Sequence, residues 1–344
     1  MRAISFDATA LASATIMRIV GCLLLTGLLV ALSSTRIEAA PFAYIANHGA
    51  ASVSVVDIGN SSVVATIPVG IAPFGLALAP GIARAYVSNH SAGTVSVINT
   101  NNNSVLATVA VGTRPTGIAV SPNGQRVYVV NLGADTLSVI NTATNSVIVT
   151  IPVGSAPNGV ALTPDGARVY VTNSGAGTVS VIDTLTNTEL STLTVGTGPV
   201  GIAMSPNQPR AYVANSGAAT VSVINTSTAS VVATVRVDGY PTGIAVSPSG
   251  AAVWVSNAFD GTVLRIETKG NTVAQSVSVG GFPAGVALTN DGSRVLVALS
   301  GANNVVAVNA TTGAVSVPIM VGSVPTSLYE FGGPQENIFQ NGFE

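Results

Sequence analysis

The chain has 344 residues, 47% of them hydrophobic and only 8% charged, with a net charge of −2. Ordinary soluble domains carry about 25% charged residues, so most segments here must be buried on both faces. The slight acidity argues against nucleic acid, which basic patches hold, and one cysteine, Cys22, excludes a disulfide framework or a multi-cysteine zinc site.

The first predicted element is a targeting segment. Arg18 precedes an apolar stretch, "IVGCLLLTGLLVALSS" (19–34), which ends in "TRIEAA", with small residues before Pro41. That is the charged, apolar and small-residue order of a secretory signal. Residues 1–39 are therefore expected to be removed on export, with Met17 as the tidier start. A lipoprotein reading, from "IVGC", is disfavoured because Cys22 stands at the front of the apolar run. Beyond this segment no run approaches the ~20 apolar residues of a membrane span.

Repeats follow. An aromatic recurs at Tyr44, Tyr86, Tyr128, Tyr170, Tyr212 and Trp254, with Leu296 in the seventh place, always 42 residues apart. Pro73, Pro115, Pro157, Pro199, Pro241, Pro283 and Pro325 keep the same step, and Asn closes the aromatic segment at Asn47, Asn89, Asn131, Asn173, Asn215 and Asn257. The fourth copy shows the units: "GVALT" (159–163), the turn "PDG", "RVYVTN" (168–173), the loop "SGAG", "TVSVID" (178–183), the turn "TLTN" and "TELSTLTV" (188–195). Val, Ile and Thr runs of this length between turn residues give four antiparallel strands. One such sheet cannot cover both faces, but a ring of seven can. The fold class is all-β, a seven-bladed β-propeller spanning residues 41–331.

The first copy starts at its second strand, "FAYIAN" (42–47), and "PTSLYEF" (325–331) matches "PTGIAVS" (115–121). The C-terminal strand is thus expected to supply the missing inner strand of blade 1, leaving a tail at 332–344.

The motifs "YVTN", "TVSVID", "ATIPVG" and "APNGVALTPDG" resemble the YVTN-repeat β-propellers of bacterial and archaeal surface and periplasmic proteins. The resemblance covers residues 42 to about 331. It implies the propeller fold and an exported protein of the periplasm or cell surface. The tail "ENIFQNGFE" (336–344) resembles a short C-terminal signature of some exported Gram-negative proteins.

Chemistry-bearing residues are few. His48 and His90 hold the same position in blades 1 and 2, and no third ligand accompanies them. Loop residues explain them better than a metal site, and no metal or cofactor is expected. Asp57, Asp183 and Glu267 share the end of the third strand, as turn caps. Asp165 and Asp291 sit in "PDG" and "NDG" turns. No Ser-His-Asp set is indicated, and no catalytic residue is assigned. Arg84, Arg126, Arg168, Arg210 and Arg294 open the second strands; a structural ring is favoured over an anion-binding ring.

The copies differ most in the loops after the second and fourth strands, which open on one face. Blades 4 and 5 are bland there, with Ala156, Asn158, Gly198, Val200, Ser174 and Ser216. Around blades 6, 7, 1, 2 and 3 stand Tyr240, Phe259, Asp260, Phe282, His48, Phe74, His90 and Arg114. Aromatic and Arg side chains are enriched in binding surfaces, so these eight are the candidate binding residues. The competing reading is that the aromatics plug the channel mouth. The leading expectation is a non-catalytic, monomeric binding or scaffold protein of the cell envelope. Its partner would be an envelope protein, a glycan or a small molecule. The alternative is a metal-dependent lactonase- or lyase-like propeller enzyme.

Overall fold

The computed structural model describes residues 42–326. The targeting segment 1–39, residues 327–331 of the expected closing strand and the tail 332–344 lie outside the described residues. Seven antiparallel blades stand around an axis, and the only helical element among the described residues is the single turn His48–Ala50. Blade 4 is representative, with an inner strand Pro157–Leu162, then Arg168–Asn173, Thr178–Asp183 and an outer strand Thr188–Thr194. The inner strand starts two residues earlier than the sequence indicated, because Pro157 already faces Asn173 before the register breaks and resumes at Val160–Val171. The second and third strands are almost wholly buried, whereas the outer strand is mostly exposed. Two-sided burial of the middle strands is the physical reason for so few charges.

The core is seven apolar clusters, one at each seam between blades. At the seam of blades 3 and 4, Tyr128, Val130, Leu137 and Val139 meet Val160, Val169, Val171 and Ile182. Each such side chain contributes roughly 1.5–3 kcal/mol when removed from water. Near the axis the sheets come so close that only glycine fits. A Cβ on Gly201 would lie 2.3 Å from the carbonyl oxygen of Thr242 in the next blade.

The Asn column is buried and ties the second and third strands of a blade to its lead-in loop. Asn173 Nδ2 donates to Thr178 Oγ1 and Ser180 Oγ at 3.1 and 3.0 Å, and Gly154 packs flat on its side chain. The Arg column also has a structural role. Arg126, Arg168, Arg210 and Arg294 each donate from Nη1 to a backbone carbonyl of the following blade, as Arg84 does to Thr142. These guanidinium groups are stitches between blades and do not form an open anion ring.

Closure is visible in its first residues. Pro325 forms an antiparallel bridge with Asn47, and Thr326 N donates to Ala46 O at 2.9 Å. Pro73 and Asn89 make the same pairing in blade 2. Gly322 lies against the Asn47 side chain, and Ala43, Ile45 and Val56 of blade 1 share a cluster with Leu296, Ala298 and Val305 of blade 7.

The acids behave as turn caps. Asp183 Oδ1 accepts from Leu185 N and Thr186 N, and Asp57 Oδ1 accepts from Asn60 N. Glu267 differs, since its carboxylate pairs with Arg265 at 2.7 Å. The Thr163 hydroxyl, followed by the Ala167 amide, holds Asp165 below the ordinary aspartate value, and the Thr289 hydroxyl does the same for Asp291. A carboxyl with a depressed folded-state pKa stabilises the fold above its unfolded value, and the gain disappears as pH falls through the folded value. Melting temperature should therefore drop below about pH 4. Asp165→Asn with Asp291→Asn should flatten that acid limb, and an unchanged limb would remove these turns as its cause.

Candidate functional site

Each blade presents two side chains on one face through a fixed backbone device. The loop leading into the inner strand offers a carbonyl, and the first residue after the second strand donates to it. The pairs include His48 N to Val324 O, His90 N to Ala72 O, Leu132 N to Arg114 O, Ser174 N to Ala156 O and Ser300 N to Phe282 O, all between 2.9 and 3.1 Å. Ala72, Arg114, Ala156, Phe282 and Val324 have left-handed φ near +50°, and Gly198 has φ +62°. Glycine takes that conformation without strain, and a bulky residue does so at a cost of about 1–3 kcal/mol. Phe282 and Arg114 are thus exposed side chains held at strained backbone positions.

The structure brings the eight candidates into two groups. In the first, His48, Phe74 and His90 form a triangle with ring centroids 6.0–6.1 Å apart. Arg114 Nε donates to His90 Nε2 at 3.3 Å. Burial lowers the pKa of His90, and Arg114 and His48 lower it further. His90 thus accepts through Nε2, and its charged form is disfavoured. Buried His48 Nδ1 has no hydrogen-bond partner.

In the second group, Tyr240 stacks on Phe259 at 4.7 Å and Phe259 meets Phe282 edge-on at 6.4 Å. Phe259 and Phe282 are 69% and 54% exposed, too open for core residues. Asp260 belongs to a local rebuilding of blade 6. Asp238 replaces the usual glycine, and Leu264 replaces the serine that elsewhere holds the Asn amide. Asn257 Nδ2 therefore turns to Val237 O, Asp238 O and Asp260 Oδ2. The Asp260 carboxylate covers Gly239, beside Tyr240.

Phe74 needs a correction of place. It lies on the inner strand Pro73–Leu78, half-buried, and reaches the cluster between blades 4 and 5 across the axis. Its ring packs on that cluster as well as against the two imidazoles. Sequence reasoning missed Ile71, which is 66% exposed beside His90, with Ser91 N donating to its carbonyl. Its signal was present: Thr113, Ser155, Thr197 and Gly239 fill that column elsewhere. Among the described residues no three His, Cys, Asp or Glu side chains group as metal ligands.

Comparison with known families adds one decision. The family model for the YNCE-like beta-propeller matches residues 161–339, just over half of the sequence. The chain belongs to the YNCE-like β-propeller family. A second model, the lactonase 7-bladed beta-propeller, resembles residues 76–190 of this YNCE-like propeller. No curated protein matches it.

Among solved structures, hydrazine synthase of Kuenenia stuttgartiensis is similar at 23% identity and TM-score 0.69, over 74% of this chain and 88% of its own. A functionally unknown protein from Desulfotomaculum acetoxidans is similar at 18% identity and TM-score 0.71, over 83% and 99%. Dihydro-heme d1 dehydrogenase NirN, in complex with DHE, is similar at 15% identity and TM-score 0.64, over 83% and 74%. At these identities the likeness is one of fold.

Proposed function

We propose that this YNCE-like propeller is a non-catalytic binding protein of the cell envelope, and that its ligand surface is the arc from Tyr240 through Phe282 and His48 to Arg114. The carrying observation is the asymmetry of an otherwise regular face. Identical backbone devices present Phe282 and Arg114 on one side and Ala156 and Gly198 on the other. Structure requires none of the large side chains, since the small ones occupy equivalent places. Loops on a rigid scaffold are where binding residues collect. The signal-like N-terminus and the YVTN-type motifs support an exported protein.

The lactonase match favours a second reading, a metal-dependent hydrolase. The residues present do not fit a catalytic metal. His48 and His90 are the only imidazoles, His90 already accepts from a guanidinium, and among the described residues no carboxylate joins them. A catalytic zinc needs three protein ligands.

The test compares immobilised wild type with the double variant Phe282→Ala, Arg114→Ala on envelope extract, with Ser174→Ala, Ser216→Ala as the control from the bland sector. At least one component should be retained by wild type and control and fall about tenfold or more with the double variant, as hot-spot truncations of ~2 kcal/mol predict. Melting temperature should stay nearly constant. A large loss of stability would show that these side chains serve the fold. Metal analysis with a lactone-hydrolysis assay tests the second reading.

A further inference from the structure

Eight arginines lie among the described residues, and seven of them reach an oxygen. Five donate to backbone carbonyls of the next blade. Arg236 pairs with Asp238 and Arg265 with Glu267. Arg114 is the exception. It is exposed, and among the described residues its one hydrogen-bond partner is the imidazole nitrogen of His90. That bond uses Nε and leaves the two Nη groups, the end of the planar fork that matches a carboxylate with two parallel hydrogen bonds.

The surroundings are aromatic. His90, Phe74 and His48 stand in mutual ring contact beside the guanidinium. Burial and Arg114 itself disfavour the charged form of His90, so Arg114 is the permanent charge beside these rings. Gly133 lets the Arg114 side chain lie close, because a Cβ there would come within 3.1 Å of Arg114 Cδ. The positioned fork, the strained backbone beneath it and the ring triangle together describe one half of a complementary pair.

Resting on the reading of the arc as a ligand surface, we propose that the mouth of the channel at blades 1–3 takes an aromatic carboxylate, with the carboxylate on the Nη edge of Arg114 and the ring against Phe74 and the two imidazoles. His90 is a positioning residue: it fixes the fork through Nε and leaves the Nη edge to the ligand. Asp238 and Asp260 belong to the blade 6 group, and the nearer acid, Asp135 of the blade 3 loop, accepts from Ala156 N at 2.8 Å.

Titration calorimetry on the protein from residue 40 onward, with naphthalene-2-carboxylate and its neutral amide as probes, tests the assignment. Wild type should bind the carboxylate at least about tenfold more tightly than the amide. Arg114→Gln should bring that ratio to about one while leaving amide binding unchanged. Phe74→Leu should weaken both probes together. Arg236→Gln, which removes an ion-paired arginine, should change neither. Equal binding of the two probes by wild type overturns the proposal, as does a ratio that survives Arg114→Gln, or the absence of saturable binding at millimolar probe. In those cases the extract experiment with the Phe282 and Arg114 double variant still decides the wider reading separately.

Discussion

A chain ending at Ser323 is expected to lose its ring closure and to associate. Removing the residues from Val324 onward deletes the bonds from His48 N to Val324 O, from Val324 N to Asn303 Oδ1, from Thr326 N to Ala46 O and from Thr326 Oγ1 to Pro73 O. It also deletes the Asn47–Pro325 bridge. The strand Phe42–Asn47, whose Ala43 and Ile45 are buried, would become a free edge. Each lost bond contributes about 0.5–1.5 kcal/mol, and the uncovered apolar surface adds several more. At about 2–4 °C per kcal/mol for a domain of this size, melting should fall by roughly 10 °C or more. An unpaired, apolar strand edge is also a template for other chains. Light scattering should show concentration-dependent association. A monomer with an unaltered melting temperature would mean that the seam of blades 7 and 1 holds without the C-terminal strand.

The second large effect is expected at Trp254, which takes the tyrosine place in blade 6 and is buried to 1%. It shares a cluster with Val286, Leu288, Val295, Val297 and Leu299 of blade 7. Trp254→Ala should cost about 3–5 kcal/mol through lost contacts and the cavity left behind. Trp254→Tyr restores the side chain of five other copies. Tyr170 OH donates to Thr226 O, and Ala310 is the residue at the matching position for a tyrosine in blade 6. Its cost should be well under half that of the alanine variant. Circular dichroism melts of the two variants check this. Equal losses would show that blade 6 depends on the larger indole ring and has drifted from the common packing.

The architecture was readable because its determinants are local and repeated. Tyr170, Asn173 and Pro157 mark the same strand positions in copy after copy, and a period without insertions leaves little freedom in topology. Closure was readable from an unmatched strand at each end. The site was readable only as a departure from the repeat. Tyr240, Phe259 and Phe282 stood out because a large ring replaced a small residue. Phe74 was misplaced because its neighbours in sequence are loop residues, and only the pairing of Pro73 with Asn89 puts it on a strand facing the axis. The role of Asp260 was hidden because it depends on an absence elsewhere: Leu264 lacks the hydroxyl that Asn257 would otherwise bond.

The backbone device that fixes each lead-in loop to the following turn has an implication for change over time. Within a blade, the presented pair hangs from amide and carbonyl groups that every residue type except proline supplies. Exchanging one member of a pair therefore leaves the supporting backbone bond intact, even where the side chains of adjacent blades touch, as Arg114 and His90 do. The face behaves as a pegboard whose pegs are changed without altering the board, so a new specificity can be reached by single steps, each on a folded intermediate. Libraries randomised at Ala156, Ser174, Gly198 and Ser216 would start from a sector of the board that is still blank.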